Sequence, residues 1–417
     1  MSVREAFQHS VNLVFIRLMR DVARHYMFKA SGSTAELLED TSDPRRQQYL
    51  SRFADREGRE FITRFYRKYR GKTAQEAEDL LLQSLHLTPK RLAVVFRSIE
   101  PDAGIEQLGA FLHKRLPDQG LSEPVLHELY DKYGVDKFSL ADRGFLAGVH
   151  PLELWLVGFL RHNPGSTLHQ VVEASRDERQ AVYVWLFKTR NKNTQDRRIQ
   201  NLVELEAFLE IGRAWQRLGY PFESLTPSYA AAIGASGDRP AALAELMGII
   251  VNKGMRLPIA KIETLHFAAA TPFETRLERV PGKPERVMRE PVAEVVRRSL
   301  VDVVEGGTAK RLQGAFRLRD GSAVEVGGKT GTGDHRFDVF APGGRLISSR
   351  VVNRSATFVF QIGDRFFGTI TAYVHEPYAV KYKFTSAISV QLLKSLTPAL
   401  LPLLDEQRGG QQVGCRR

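Results

Sequence analysis

Two extended runs, Ser355 to Ile362 and Phe366 to Val374, meet at Gly363-Asp364, and no other feature of this 417-residue chain narrows its fold as much. Both runs are rich in β-branched and aromatic residues, and a Gly-Asp pair between them predicts a two-residue hairpin turn. A helix precedes the pair and another follows it. Pro291 opens the first, with Val292, Val295, Val296, Leu300 and Val303 as its apolar face and Gly306-Gly307 closing it. The last helix, from Thr385 to about Leu396, carries Ile388, Leu392 and Leu396 on one face. Helix, antiparallel strands and a final helix predict an α+β layer in which helix packs on sheet.

Upstream the pattern is helical. Ser2 and Glu5 form an S-x-x-E capping box, a break follows at Ser10-Val11-Asn12, and Phe15, Leu18, Met19 and Val22 then mark one face of a second helix. From residue 28 to about 223, start signals recur: Asp43 before Pro44, Thr73 with Glu76, Thr88 before Pro89, and Ser122 before Pro124. Leu92, Val95 and Ile99 form an amphipathic run, and Leu152 to Leu160 reads as a buried helix too short to span a bilayer. The stretch Arg45 to Lys72 is heavily basic, and charge runs of this kind predict a solvated face. A helix-turn-helix over Phe138 to Phe159 is the sharper alternative; no base-reading pattern supports it. The expected organisation is 1–27, a mainly helical 28–223, 224–404, and a disordered tail 405–417.

The tail holds the lone cysteine, Cys415, which excludes a disulfide framework and a cysteine metal site; no cofactor or metal is expected. A formal charge of +12 favours an anionic partner such as nucleic acid, acidic lipid or cell-wall polymer. Arg4, Glu5 and Arg17 interrupt the N-terminal segment, so neither a signal peptide nor a transmembrane segment is expected.

The sharpest motif is Gly328-Lys329-Thr330-Gly331-Thr332. On a strand, the Lys329 ammonium and the Thr330 and Thr332 hydroxyls can hold a carboxylate by charge-assisted hydrogen bonds. Gly331 would leave room for another backbone, so an extended peptide could pair along that strand. A phosphate-binding loop is excluded by spacing, since Ala323 stands where its first glycine belongs and Gly331-Thr332-Gly333-Asp334 opens no helix. The second motif is Ser10-x-Asn12 between two helices. Its hydroxyl and amide could relay a proton and hold a substrate amide; the plainer reading is helix punctuation.

Serine-x-asparagine and K-T-G together resemble the signature of the penicillin-binding proteins and class A β-lactamases. The segment from Ser2 to Asn12 is similar to the surroundings of S-x-N in the bifunctional class A penicillin-binding proteins. Leu225 to Gly234, Pro240 to Gly248, Asn252-Lys253-Gly254, Val303 to Ala309 and Gly328 to Thr332 follow in that family's order. The resemblance covers residues 1 to about 27 and about 224 to 400, and 28 to about 223 is similar to an insertion found in some members.

The resemblance implies a penicillin-binding, serine β-lactamase-like transpeptidase fold, an antiparallel sheet with helices, interrupted by a large helical insertion. It implies proton transfer for Ser10, peptide binding for Asn12, and site electrostatics for Lys329. Thr330, Gly331 and Thr332 would meet the terminal carboxylate of a peptidoglycan stem peptide or of a β-lactam. Gly333 departs from the family, where serine or threonine is common. The larger departure is the nucleophile: no serine in the chain is followed three positions later by lysine. The expectation is an incomplete domain, inactive alone, completed by a separate upstream polypeptide. The family acts outside the cytoplasm and is anchored in the inner membrane. A non-catalytic, basic helical protein on a degenerate scaffold, binding cell wall or, less readily, nucleic acid, is the alternative.

Overall fold

A computed structural model of the chain describes residues 1–28, 34–83, 85–188, 191–260, 262, 264–280, 282–341 and 345–410. Helices come first: α1 (Val3–Gln8), α2 (Asn12–Phe28), α3 (Thr34–Glu39), α4 (Pro44–Tyr69), α5 (Ala74–Leu82), α6 (Pro89–Ile99) and α7 (Ile105–Arg115). Then come α8 (Glu123–Lys132), α9 (Leu140–Ala147), α10 (Pro151–His162), α11 (Leu168–Ala174), α12 (Arg176–Val182), α13 (Lys192–Arg217) and α14 (Pro240–Val251). Four short strands follow, β1 (Met255–Arg256), β2 (Thr264–Phe267), β3 (Thr275–Glu278) and β4 (Glu285–Arg286). After α15 (Glu290–Glu305) come the long strands β5 (Val326–Phe340), β6 (Leu346–Ile362) and β7 (Phe366–His375), and last α16 (Ala387–Ser395) and α17 (Thr397–Gly410).

Two compact units result, Met1–Met27 with Glu204–Arg417, and Phe28–Val203. The second division falls inside α13, upstream of the composition change read at 223/224.

The first unit is α+β. Its main sheet is antiparallel in the order β5-β6-β7, with β1–β4 and β2–β3 as separate pairs. The β6–β7 hairpin closes at Ile362 opposite Phe366, so its loop takes Arg365 as well as Gly363 and Asp364. The loop is therefore one residue longer than the dipeptide predicts. Gly363, at φ +62°, supplies the left-handed step. Alternation along the strands sends Val326, Phe358 and Ile362 to one core, with Leu312, Phe316 and Val390 and Leu393 of α16. Val359 packs toward Met247 and Ile250 of α14 and Leu300 of α15. Helices thus cover both sheet faces, where the sequence suggested one.

The helix faces differ from those read by periodicity. In α2 the buried residues are Met19 and Ala23, with Phe208, Ile211 and Leu225, while Leu18 and Val22 are exposed. In α15 they are Ala293, Leu300, Val303 and Val304, while Val292 and Val295 face outward. In α16 they are Ser389, Val390 and Leu393; Ile388, Leu392 and Leu396 are 41%, 45% and 48% exposed. The Ser389 hydroxyl reaches the Ala356 carbonyl oxygen at 2.7 Å, which lets a polar residue join the core. Small residues seat these helices closely, and a count of large apolar residues passes over them.

In the second unit, Asp43, Thr73 and Thr88 cap α4, α5 and α6 as expected. The basic run on α4 is not wholly solvated: Arg46 is buried and donates to the carbonyl of Leu37 and to Gln195 and Asp196. Arg179 is also buried, its guanidinium on Asp55 at 2.6 and 3.0 Å. Helices α9 and α10 do form a helix-turn-helix pair, with Gly148 left-handed at φ +79°. Leu152, Leu154, Leu156 and Val157 of α10 are all buried, so this helix is core rather than a groove reader.

Among the described residues no single helix is long and apolar enough to cross a membrane; the pair Ala387–Ser395 and Thr397–Asp405, bent by 55°, meets that test only jointly. Helix α17 continues through residues expected to begin a disordered tail. Residues 411–417, and Cys415 with them, lie outside the described residues.

Candidate active site

Lys329 is placed by the glycines before it. A Cβ on Gly328 would stand 2.5 Å from the Phe358 ring and 2.5 Å from the Val359 carbonyl oxygen. A Cβ on Gly327 would stand 3.1 Å from the Val301 nitrogen of α15. The bare backbone lets β5 slide between β6 and α15. Lys329 is the first long side chain to emerge, opposite Val359, with Thr330 opposite Phe358. β5 is also a sheet edge, since among the described residues it pairs with β6 alone. The strand runs on through Thr332 to Phe340, so no helix N-terminus follows Gly-Lys-Thr, as a phosphate loop would require.

Ser10 arrives from the α1–α2 corner. The capping box at Ser2 and Glu5 starts α1, with bonds of 2.7 and 3.2 Å. Ser10 ends it in the left-handed region at φ +55°, a conformation that costs a non-glycine residue about 1–2 kcal/mol. Contacts with α15 hold the corner there. Arg4 grips Asp302 through two bonds of 2.5 and 2.8 Å, and Gln8 Nε2 donates to the Asp302 carbonyl at 3.1 Å. The Thr308 amide donates to the Gln8 carbonyl at 3.3 Å, beside Gly306 and Gly307.

The two motifs, 319 positions apart in the chain, meet here: the Lys329 ammonium donates to Ser10 Oγ. It also donates to the Thr330 carbonyl at 3.0 Å and lies 5.7 Å from the centroid of Phe7. Burial, which penalises the charged form, pulls the Lys329 pKa down to about 8. Thr330 Oγ1 lies 2.6 Å from Thr308 Oγ1, and Thr332 Oγ1 accepts the Ser386 amide at 2.8 Å. Asn12 opens α2 two residues beyond Ser10, exposed, with no side-chain hydrogen bond among the described residues. Gly331 would meet nothing within 4 Å if it carried a Cβ, and the same holds for Gly333. Close backbone approach within the chain is therefore at Gly328, and the space beside Gly331 is open.

No family model matches the chain, and no curated protein matches it. Solved structures do match in part. Among them are penicillin-binding proteins. Penicillin-binding protein 3 from Mycobacterium tuberculosis, complexed with aztreonam, is 20% identical, with 48% of this chain covering 49% of that one at a TM-score of 0.32. Penicillin-binding protein A from M. tuberculosis, as a ceftriaxone acyl-enzyme complex, is 16% identical, with 48% of each chain covered at 0.31. The D,D-transpeptidase domain of a peptidoglycan glycosyltransferase from Eggerthella lenta is 19% identical, covering 47% of this chain and 50% of that one at 0.27. The chain spans about half the length of each.

Chemically, an ammonium with a lowered pKa against a serine hydroxyl is a pair that can pass a proton. Three hydroxyls, of Thr308, Thr330 and Thr332, line the same strand edge and its neighbours. Thr308, Ser386 and Phe7 were not singled out from sequence as site residues. For Thr308 and Phe7 a signal existed, because they sit in the Val303 to Ala309 and Ser2 to Asn12 segments that carry the resemblance; Ser386 carried none. Among the described residues, no group of three or more His, Cys, Asp or Glu side chains is placed to hold a metal ion.

Proposed function

We propose that this site is the carboxylate-recognising and proton-relaying part of a penicillin-binding transpeptidase site. In the reaction of such sites, a serine attacks the carbonyl of a D-Ala-D-Ala stem peptide and D-alanine leaves. The acyl group then passes to an amine of a neighbouring strand. Here Lys329 would attract the substrate carboxylate and Thr330 and Thr332 would bind it. Ser10 and Lys329 would carry the proton, and the open edge of β5 would take the peptide backbone as an added strand. Asn12, exposed beside the corner, would hold the substrate amide. The contact between Lys329 and Ser10, made across 319 positions of the chain, supports this reading most directly. Peptidoglycan lies outside the cytoplasm, and the protein would work there. With no S-x-x-K in the sequence, these residues bind and polarise but do not supply the acylated serine.

Ampicillin tests the proposal. The chain is expected to bind it reversibly and to form no boiling-resistant adduct. Lys329→Ala should weaken that binding by at least about tenfold, the worth of one charged hydrogen bond. Lys310→Ala should not. Equal affinity in all three proteins would sink the proposal, and a stable adduct would show that a serine of this chain is itself acylated.

A further inference from the structure

Outside this site, one arginine in the unit Phe28–Val203 lacks the partners that every comparable arginine has. Five arginines among the described residues bury a side-chain Nε with no hydrogen-bond partner: Arg97, Arg115, Arg143, Arg297 and Arg354. Four of them satisfy their terminal nitrogens. Arg97 donates to the carbonyls of Pro101 and Ala103, Arg115 holds Glu78, Arg297 holds Glu325, and Arg354 pairs with Asp334. Arg143, on α9, has neither a side-chain hydrogen bond nor an ion pair among the described residues. Burial alone depresses its guanidinium pKa, with no carboxylate acting the other way. Arg143 is half-buried and only its Nε is shut away, so its terminal nitrogens stay open to a partner from outside the fold.

The space in front of Arg143 has a defined shape. Helices α6, α9 and α10 leave a cavity of about 270 Å³, lined by Ser98, Arg143, Trp155, Phe159, His162 and Asn163 among others. Gly158 lets α10 close on α6: its Cβ would lie 3.3 Å from the Ser98 carbonyl oxygen. Trp155 and Phe159 stack on one another, with centroids 5.0 Å apart at 22°, and together give the cavity an aromatic wall. His162 Nδ1 is engaged by the Gly158 carbonyl at 2.8 Å, and Asn163 Nδ2 by the Phe159 carbonyl at 3.0 Å. Glu100, beside His162, is already held by Arg161.

We propose that this cavity is a binding site for a small organic monocarboxylate with a flat or ring-shaped body, anchored by Arg143. A single guanidinium neutralises a single charge and offers a carboxylate two parallel N–H donors. The volume lies just under the roughly 300–1,000 Å³ of ordinary ligand pockets, which fits a small molecule rather than a polymer. The aromatic wall would take the ring. The site stands apart from the transpeptidase reading and does not depend on it.

Benzoate, benzamide and inorganic phosphate are the probes, titrated into the full chain by calorimetry with tryptophan fluorescence as a second signal. Benzoate should bind with heat and a change in tryptophan emission, to which Trp155 in the cavity wall contributes. Neutral benzamide should bind at least about tenfold more weakly, and so should benzoate to Arg143→Met. Without ligand, Arg143→Met should melt close to the parent, because the side chain makes no hydrogen bond or ion pair within the described residues that the change could break. The proposal fails if benzoate does not bind, if benzoate and benzamide bind alike, or if Arg143→Met lowers the melting temperature by several degrees. Phosphate binding tighter than benzoate would also overturn it. The benzoate–benzamide comparison needs no variant, so misfolding of Arg143→Met cannot shield the idea.

Discussion

Gly307 and Gln8 touch so closely that a methyl group on Gly307 would stand 2.3 Å from the Gln8 carbonyl oxygen, with Val303 oxygen at 2.9 Å. Both neighbours are backbone and cannot swing aside. The carbonyl of Gln8 in turn receives the Thr308 amide, so the α1–α2 corner is seated on the end of α15 through this glycine.

Gly307→Ala is therefore expected to destabilise the first unit by about 1–3 kcal/mol. It should also lift Ser10 off Lys329. Freed from burial, the Lys329 ammonium should titrate closer to the ordinary lysine value, which NMR of the labelled side chain would show. Gly331→Ala, with nothing within 4 Å of the new methyl, is the control and should leave both readings unchanged. An unaltered Lys329 titration in Gly307→Ala would disprove the seating role.

Stability should depend on Lys329 in alkaline solution. Burial pulls the Lys329 pKa from an ordinary lysine value of about 10.5 down to about 8. Between those values the unfolded state binds more protons, so the folded state gains as pH rises and carries the full penalty below pH 8. Relative to Lys329→Met, the unfolding free energy should rise by on the order of 2–3 kcal/mol across the window. Urea unfolding at pH 7, 9 and 11 measures this, and parallel curves for the two proteins would refute it.

In the second unit, Arg179 and Asp55 are not equal partners. Arg179 is 1% exposed in its side chain and Asp55 31%. Asp55→Ala leaves a guanidinium in the core and should cost about 3–5 kcal/mol. Arg179→Met leaves only a carboxylate that can reach water, and should cost less. Burial pushes the Asp55 pKa up, but the bonds and charges of Arg179 and Arg59 outweigh it and hold the carboxyl below its ordinary value. That contribution is present above about pH 4 and fades as acid protonates the folded state. Thermal melts of the three proteins at pH 7 and pH 3 would decide; a larger loss in Arg179→Met reverses the assignment.

Neighbouring leucines on α16 should behave oppositely. Leu393 is fully buried against the sheet, so Leu393→Ala should cost about 2–5 kcal/mol. Leu392 is 45% exposed, and Leu392→Ala should cost less than about 1 kcal/mol. Similar losses by denaturant unfolding would mean that the helix packs on the face periodicity suggested.

That last contrast shows where sequence reading stopped. Caps were legible, because Ser2 with Glu5, Asp43 before Pro44 and Thr73 with Glu76 are local chemistry that tertiary structure leaves in place. Of the strand carrying Lys329 only the part up to Thr332 was legible; β5 runs on to Phe340, and its partner β6 begins at Leu346, nine residues before the run read from Ser355. The buried sides of α2, α15 and α16 were not, because Ala23, Ala293 and Ser389 face inward by fit rather than by hydropathy. In the site, Ser10 and Lys329 could be paired only through the family resemblance. Phe7 and Ser386 join them through distances that no spacing in the chain encodes.

The separation of Ser10 and Lys329 also bears on the order in which the chain folds. Bringing two residues 319 positions apart together early would close a very long loop. Phe28–Val203 lies within that loop as an unbroken unit whose helices pack on near neighbours, and contacts of short sequence span form fast. Once that unit has collapsed, the free chain between the two residues is cut to roughly half, and the corner can find β5 by a shorter search. The Ser10–Lys329 contact is therefore expected to form late, after Phe28–Val203 has shortened the loop that it must close.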